Sequence, residues 1–393
     1  MTATRLEVDT VILGGGVAGL WALARLRRAG YSAVLVEADR LGAGQTRCAQ
    51  GIIHGGAKYA LTGEVGAAAR MVAGMPARWR ACLAGEGELD LSAVPVRAAH
   101  QVLWSPGGLG ARLAGFFAGH LMRSRLAPLE PGAWPGALRH PDFRGRVWRL
   151  DEPVVDVAGL LEALAGLGGG CLVRGGVEDM SAGDPCTVRL PGLELAAARL
   201  VLAAGAGNAA LLERLGRRSP AMQRRPLHMV MVRGPLPPLY GHCLGTSPRP
   251  RLTVTTHEDA QGRPVWYLGG QLAEAGVERD EAGQIRAARA ELAALFPWLD
   301  WSACRWATLR VDRAEAAAGG RLPGDVFCEE NGNVITVWPT KLALAPEAAA
   351  RVEGLLRAGG VKPGARPDPA PGLAGCAVPD IAPLPWLEEE RWS

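Results

Sequence analysis

The sequence predicts an α/β protein built on a parallel sheet that begins with a βαβ unit. Three observations predict this class: the apolar run at residues 10–13, the glycine-rich turn Gly-Gly-Gly-Val-Ala-Gly at residues 14–19, and the apolar-periodic segment at residues 20–26. A second strand-like run, Ala-Val-Leu-Val-Glu at residues 33–37, completes the unit. Strand, turn, helix and second strand therefore stand in the order that a nucleotide-binding fold requires.

The spacing of the turn explains its composition. Gly14 permits a tight turn, Gly16 lets a pyrophosphate approach the backbone, and Gly19 lets the helix pack against the strand. Val17 and Ala18 then lie in the first turn of the helix, where free N–H groups attract negative charge. These five residues form the predicted pyrophosphate site.

Glu37 closes the second predicted strand and has the position of an acid that accepts the hydroxyl groups of a ribose; Ala38 follows it. A carboxylate there favours a 2′-hydroxyl over a 2′-phosphate, so FAD or NAD is preferred to NADP. The run at residues 107–110 lacks the third glycine and the acid of a second such motif. A separate NAD(P)H site is therefore not predicted.

Composition excludes several classes of protein. The chain has 393 residues and a net charge of +4, with basic residues spread along it, so a nucleic-acid-binding surface is not predicted but attraction for small anions is. Its eight cysteines show no C-x-x-C pair and no metal-ligand spacing, and Cys48 stands alone near the first helix, which excludes a flavin-linked disulfide reductase. Without a signal peptide or a run of about 20 apolar residues, we expect a soluble cytoplasmic protein whose membrane contact is at most peripheral.

Later segments indicate that the cofactor domain is discontinuous. The apolar run at residues 198–207 ends in small residues, and residues 333–356 form another strand, turn and helix. Strand-like runs at residues 227–232, 252–256 and 265–268 precede a predicted helix at residues 287–295. We therefore predict a cofactor domain of residues 1–63, 149–215 and 322–362, a substrate domain of residues 64–148 and 216–321, and a Pro/Gly-rich arm of residues 363–393.

The Gly-Ile-Ile-His-Gly-Gly-Ala-Lys-Tyr element at residues 51–59, together with the turn, Glu37 and the Leu-Val-Leu-Ala-Ala-Gly-Ala run at residues 200–206, resembles the D-amino-acid oxidase superfamily of flavoproteins. That group includes glycine and sarcosine oxidases and FAD-linked glycerol-3-phosphate dehydrogenases. The resemblance covers about residues 8–357 by motif order. It implies FAD as cofactor and a discontinuous Rossmann-like FAD-binding domain with an interleaved antiparallel-sheet substrate domain.

The resemblance also implies roles for residues. His54 and Lys58 match a histidine and a basic residue, usually Arg, that lie over the isoalloxazine in family members. The residues expected to contact FAD beyond the first βαβ unit are Gly44, Gln45, Thr46, Gln50, Gly51, Val177, Ala204, Gly205, Pro339, Thr340, Lys341 and Leu342. A cation in the final turn, Lys341, stabilises reduced flavin.

For the donor, we expect His54, Lys58, Arg310 and Tyr267 to act in catalysis. Arg310 lies just before the last cofactor segment, and a guanidinium binds carboxylate or phosphate bidentately. Alcohol oxidation needs a base, for which His54 is the best candidate, whereas amine oxidation depends more on alignment. The expected reaction takes a hydride from a small amino acid, hydroxy acid or polyol phosphate and passes electrons to O2, a quinone or a protein.

Three alternatives stay open at this stage. The chain could be a flavoprotein subunit that acts only with another protein, docked through the C-terminal arm. It could also be a non-catalytic scaffold stabilised by FAD, although no sequence feature blocks the flavin face. Covalent attachment of the flavin through His54 or Cys48 is the third.

Overall fold

Two eight-stranded sheets form the framework of this computed structural model, which describes residues 4–56, 67–107, 126–247, 249–319 and 324–392. The strands, in chain order, are β1 (Thr4–Leu13), β2 (Ala33–Glu37), β3 (Val96–Ala98), β4 (Gln101–Ser105), β5 (Leu126–Pro128), β6 (Arg146–Leu150), β7 (Val154–Val155), β8 (Leu172–Arg174), β9 (Asp179–Ser181), β10 (Cys186–Leu190), β11 (Leu193–Leu202), β12 (Met222–Arg233), β13 (Gly241–Cys243), β14 (Leu252–Glu258), β15 (Pro264–Gly269), β16 (Arg305–Ala316), β17 (Phe327–Asn331) and β18 (Val334–Trp338). The α-helices are α1 (Val17–Arg28), α2 (Ala67–Leu83), α3 (Val157–Leu167), α4 (Asn208–Arg214), α5 (Gln271–Ala275), α6 (Glu281–Leu295) and α7 (Ala345–Ala358).

The first sheet has the order β17-β18-β11-β1-β2-β8, and the strands from β18 to β8 run parallel. Its strands come from three separated parts of the chain, and β9 and β10 extend it beside the first half of β11. The predicted class is confirmed: the nucleotide-binding sheet is assembled from discontinuous segments. β1 is buried on both faces over its last six residues, as expected for a parallel strand covered by helices.

The second sheet has the order β16-β12-β15-β14-β13-β4-β6-β5. Neighbouring strands are antiparallel except β13 and β4, which run parallel. β12 and β16 pair along their whole length, from Met222 opposite Ala316 to Arg233 opposite Arg305. Long-range pairing therefore extends β12 well beyond the predicted strand at residues 227–232, because tertiary contacts outweigh local pattern.

Helix boundaries also differ from the prediction. α6 begins at Glu281, six residues before the predicted start at residue 287, because the Asp280 side chain caps it by accepting a hydrogen bond from Gly283 N at 2.7 Å. The predicted strand, turn and helix at residues 333–356 contain the 3-10 turn Leu342–Leu344, so the α-helix itself, α7, begins at Ala345. Thr340, just before this turn, has φ of +62°.

The C-terminal segment, residues 363–392, packs along the surface of its own chain. The Ala382 N–H donates to Leu41 O at 2.9 Å, and Arg174 N–H donates to Ala377 O at 2.6 Å. Trp386, only 2 % exposed, is buried at the end of this arm. All eight cysteines are free thiols, and no helix among the described residues has the length and apolar character needed to cross a bilayer.

Candidate active site

The glycine turn between β1 and α1 has no room for side chains at two of its positions. Gly14 has φ of +114°, and a Cβ there would lie 2.5 Å from Ala204 Cα. A Cβ on Gly19 would lie 2.0 Å from Gly14 O, so α1 packs directly on the turn. The helix begins at Val17, and the backbone at its N-terminus is thus brought to the edge of the sheet.

Two side chains fix the shape of this turn. Glu37 accepts hydrogen bonds from Gly15 N through Oε2 at 2.6 Å and from Asp39 N through Oε1 at 2.9 Å. Thr46 Oγ1 accepts from Val17 N at 3.1 Å, which ties the loop after β2 to the start of α1. These bonds hold the turn, the carboxylate and the loop together.

A groove of about 850 Å³ runs along these elements, within the size range of ligand sites. Its walls come from the turn, the loop at residues 43–50, the small-residue turn after β11, strand β16 and the turn after β18. The predicted site residues that line it are Gly14, Gly16, Val17, Ala18, Glu37, Gly44, Gln45, Thr46, Gln50, Ala204, Gly205, Arg310, Pro339, Thr340, Lys341 and Leu342. A single groove therefore brings together segments that lie more than 300 residues apart in the chain.

A smaller cavity of about 320 Å³ adjoins this groove, and Gly51 and His54 line it. The two cavities share part of their walls: Ala49, Gln50, Leu227, Met229, Arg313, Thr340, Lys341 and Leu342. The rest of the lining of the smaller cavity comes from the segment at residues 51–56, from Glu152, and from the second sheet with its adjoining segments. We call the larger space the cofactor groove and the smaller one the donor cavity.

Cationic side chains dominate the charge of the donor cavity. Arg225 is ion-paired with Glu315 and Arg249 with Glu274, the latter at 2.8 Å. Arg313 has no carboxylate partner among the described residues, and its Nε donates to Arg225 O at 3.1 Å. Burial, helped by the neighbouring Arg225, lowers the pKa of Arg313 to about 10. An anion in the cavity would compensate this buried charge.

Lys341 lies in the wall between the groove and the donor cavity. Burial lowers the pKa of its ammonium to about 8, against the attraction of Glu152 and with repulsion from Arg225. An ammonium with this pKa titrates close to neutral pH, as perturbed side chains at functional sites often do.

His54, Glu152 and His242 also line the donor cavity. The His54 ring places Nδ1 3.3 Å from Glu152 Oε2, and Gly55 N donates to Glu152 Oε1 at 2.6 Å. Burial raises the pKa of Glu152, but the hydrogen bond from His54, the charges of both histidines and the Gly55 N–H together hold it below its usual value. His242 is buried, and its Nδ1 lies 2.9 Å from Thr253 Oγ1.

One ligand atom from each of His54, Glu152 and His242 could approach a metal ion, because these atoms lie within 4.8 Å of one another. However, Gly55 N and Thr253 Oγ1 already occupy Glu152 Oε1 and His242 Nδ1. Lys341 and Arg225 further disfavour a cation in this cavity. We interpret the cluster as a proton-handling group instead.

Two of the expected catalytic residues need correction. Tyr267 is fully buried in β15, its hydroxyl donates to Cys48 O at 3.1 Å, and it lines neither cavity. Burial raises the pKa of this phenol well above its usual value. Arg310 borders the groove, but its guanidinium donates to Val277 O at 2.9 Å and to Arg279 O at 2.6 Å. Both side chains are structural, and Lys58 lies outside the described residues.

Four residues expected at the cofactor do not line the groove, and one of them, Gly51, lines the donor cavity instead. Gly19 acts through packing, as described above, and Ala38 is exposed beyond the end of β2. Val177 packs against the core beneath the β9–β10 hairpin instead of facing the groove. Neither Ala38 nor Val177 lines the groove, and the expectation that the backbone at these positions meets the cofactor stays a prediction.

Sequence reasoning missed Glu152, Arg225 and Arg313. Strand alternation could have identified the two arginines: in β12, Arg225, Leu227 and Met229 line the donor cavity together at every second position. In β16 the same alternation puts Arg313 on the face of Leu309 and Val311, and puts Arg310 on the other face. No local pattern marks Glu152.

The comparisons with known proteins agree with this architecture. The family model for FAD dependent oxidoreductases matches residues 9–336. The chain is 51 % identical over 392 residues to the probable FAD-dependent oxidoreductase PA4991 of Pseudomonas aeruginosa, covering 98 % of each protein. The crystal structure of the FAD dependent oxidoreductase PA4991 superposes with a TM-score of 0.85 at 46 % identity, again over 98 % of both chains.

More distant solved structures share the fold. Glycine oxidase from Geobacillus kaustophilus has a TM-score of 0.67 at 19 % identity, over 93 % of this chain and 97 % of that one. L-alpha-glycerophosphate oxidase from Mycoplasma pneumoniae, solved with FAD bound, has a TM-score of 0.63 at 13 % identity, over 90 % and 95 %. With the groove, the glycine turn and the family match together, the chain belongs to the D-amino-acid oxidase family of FAD-dependent oxidoreductases.

Proposed function

We propose that the chain takes a hydride from a carbon atom next to an amino or hydroxyl group of a small anionic donor, such as an amino acid, a hydroxy acid or a polyol phosphate. The observation that supports this most strongly is the position of the donor cavity. It adjoins the cofactor groove, and Arg313 and Lys341 line both spaces. A volume of about 320 Å³ suits a small acid better than a large substrate.

The groove residues fit FAD. The start of α1 and the turn at Gly14 and Gly16 would hold the pyrophosphate, because peptide N–H groups and the helix dipole stabilise negative charge there. Glu37 would accept the hydroxyl groups of the adenosine ribose, and the turn with Thr340 and Lys341 would face the flavin. When bound, FAD supplies the two-electron acceptor, while these residues only bind and orient it.

Arg313 would anchor the acidic group of the donor. Its guanidinium lacks a carboxylate partner among the described residues and borders both cavities, so a carboxylate or phosphate bound to it would lie at the junction with the cofactor. Arg225 and Arg249, which are already paired with acids, would add attraction without directing the donor.

The direct test is an anaerobic titration of the purified holoprotein with panels of amino acids, 2-hydroxy acids and glycerol phosphates, followed by the visible absorbance of the flavin. We expect one panel to bleach the oxidised flavin band. A flavin that no small acid reduces would contradict the proposal and favour a subunit that acts only with another protein. The electron acceptor, O2, a quinone or a protein, follows from reoxidation of the reduced protein by each.

We also propose a cytoplasmic location and at most peripheral membrane contact. Eight free thiols are the observation that supports a reducing compartment. The C-terminal arm, proposed from sequence as a docking segment, has much of its apolar surface buried against its own chain, with Trp386 and Trp392 2 % and 5 % exposed. This packing favours an independently acting enzyme.

A further inference from the structure

Glu152 is held beside His54 by backbone pairing between two distant segments. Val155 N donates to Gly51 O and Ile53 N donates to Pro153 O, both at 2.9 Å, and Ile52 forms a β-bridge with Val154. The main chain therefore fixes the register that places the buried carboxylate against the histidine. The arrangement is preorganised, because backbone hydrogen bonds hold the two side chains next to each other.

The hydrogen bonds of Glu152 determine which nitrogen of His54 carries a proton. Glu152 is buried and ionised, so both carboxylate oxygens only accept: Oε1 accepts from Gly55 N, and Oε2 faces His54 Nδ1 at 3.3 Å. Nδ1 must then carry the hydrogen, which leaves the lone pair on Nε2. His54 is partly exposed and lines the donor cavity, and Glu152 is its partner among the described residues.

We propose that Glu152 is a positioning residue that keeps His54 as the proton acceptor for a hydroxyl donor, so that the substrate is a small hydroxy acid or polyol phosphate. This inference rests on the proposed function and narrows it. In the step, the donor C–H and O–H bonds would break and a C=O bond would form; His54 Nε2 would take the O–H proton, and FAD, when bound, would supply the acceptor for the hydride. The imidazolium that results is stabilised by the Glu152 carboxylate.

The choice of hydroxyl over amine follows from what each donor needs. A neutral amine has a lone pair on nitrogen that assists hydride loss, so alignment is its main requirement. An alcohol must lose its hydroxyl proton as the hydride departs, which needs a base. The chain places a base with a fixed tautomer in the donor cavity, which Arg313 and Lys341 also line and where they would hold the acidic end of the donor.

The substitution Glu152→Gln tests the tautomer directly. Gly55 N–H retains the amide oxygen of the new side chain, so its NH2 group faces His54 Nδ1 and forces the ring proton onto Nε2. The readout is ¹⁵N NMR of histidine-labelled holoprotein, which contains seven histidines, with His54→Asn used to assign the resonance. We expect Nδ1–H in the native protein and Nε2–H in the variant. A native Nε2–H tautomer, or no change in the variant, would overturn the proposal.

The kinetic test compares Glu152→Gln with Glu291→Gln, which removes a carboxylate that pairs with Arg251 and lines neither cavity. We expect lactate, 2-hydroxyglutarate or glycerol 3-phosphate to reduce the native flavin anaerobically, and Glu152→Gln to slow this about 100-fold, the low end of general-base effects. His54→Asn should slow it similarly, while Glu291→Gln should stay within about threefold, as expected for a partly exposed pair.

The outcomes separate this inference from the proposed function. Reduction by glycine, sarcosine or D-alanine but by no hydroxyl donor overturns the inference and leaves the proposed function intact. Equal rates for Glu152→Gln and Glu291→Gln overturn the role of Glu152. A flavin reduced by neither class of donor overturns the proposed function, and the hydroxyl assignment with it.

Discussion

The cofactor groove and the donor cavity adjoin each other but are built in different ways. The groove depends on backbone geometry within one short turn, where Gly14 and Gly19 leave no space for a Cβ. The donor cavity depends on side chains, Arg313, His54 and Glu152, that come from separate elements and meet only in the folded chain. Local backbone design suits a constant cofactor, whereas assembled side chains suit a donor that differs between relatives.

Gly19→Val should have the largest effect, because it tests whether the groove really depends on backbone contact. A Cβ at this position would lie 2.0 Å from Gly14 O, so α1 has to move away from the turn. We expect purified protein without bound FAD, measured as the ratio of flavin to protein absorbance. Gly74→Ala, a glycine with no atoms near its Cβ position, is the control and should retain full flavin. If Gly19→Val retained FAD, the groove would not depend on this backbone contact, and the contrast with the donor cavity would fail.

Trp386→Ala tests how much the packing of the C-terminal arm on remote segments contributes to stability. Trp386 is 2 % exposed and stacks on His257 with ring centroids 3.9 Å apart. Its neighbour Glu388 pairs with Arg47 of the groove loop at 2.6 Å. We expect the free energy of unfolding to fall by about 3–5 kcal/mol, the usual range for a buried Trp.

Urea denaturation measures this change, and Leu387→Ala is the matched control. Leu387 is 38 % exposed, so its truncation should change the free energy of unfolding by about 0.5 kcal/mol or less. Equal losses for the two variants would show that the arm contributes nothing specific at Trp386.

The same contrast decides what sequence alone could predict. The turn at Gly14 was predictable because its glycine spacing is a local pattern, although the residue that closes on Gly14, Ala204, lies 190 positions later. Glu152 was not, because its role arises from pairing with residues 51–55, about a hundred positions earlier. Tyr267 was misplaced for a related reason: β15 lies between β12 and β14, and no local pattern shows that its phenol is covered.

Arg310 illustrates an error that was avoidable. Both Arg310 and Arg313 were visible in the sequence, and a strand interpretation of residues 309–313 assigns them to opposite faces. Leu309 and Val311 are buried, so the face of Arg313 is the inner one. The chemistry predicted for an arginine at this place was reasonable, but the parity of the strand selects a different residue.

Arg313→Met against Arg310→Met sharpens the comparison within one strand. We expect the KM of the anionic donor to rise about 100-fold in Arg313→Met, since a charge-assisted bidentate hydrogen bond contributes about 1.5–3 kcal/mol. Arg310→Met should change the KM by less than about threefold, because its guanidinium is bound to backbone carbonyls at residues 277 and 279. Steady-state kinetics with one donor measures both, and a larger effect at Arg310 would reverse the assignment.

The smallest predicted effect concerns Lys341, which belongs to both regions. Its pKa is lowered to about 8, so the ammonium is charged below that pH and becomes neutral as the pH rises through it. Attraction for an anionic donor is therefore present below pH 8 and is lost above it, and we expect the KM to rise about tenfold between about pH 7 and pH 9.5. Arg313, with a pKa near 10, retains its charge over most of this range and preserves part of the affinity.

Lys341→Arg distinguishes this titration from other pH effects, because a guanidinium stays protonated across the whole range. With a hydroxy acid donor whose own groups do not titrate there, the KM of Lys341→Arg should be nearly independent of pH. A native KM that is flat from about pH 7 to pH 9.5 would mean that Lys341 serves the cofactor alone. A step that persists in Lys341→Arg would assign the titration to another group. In either case Lys341 would not count as a donor-binding residue of the cavity.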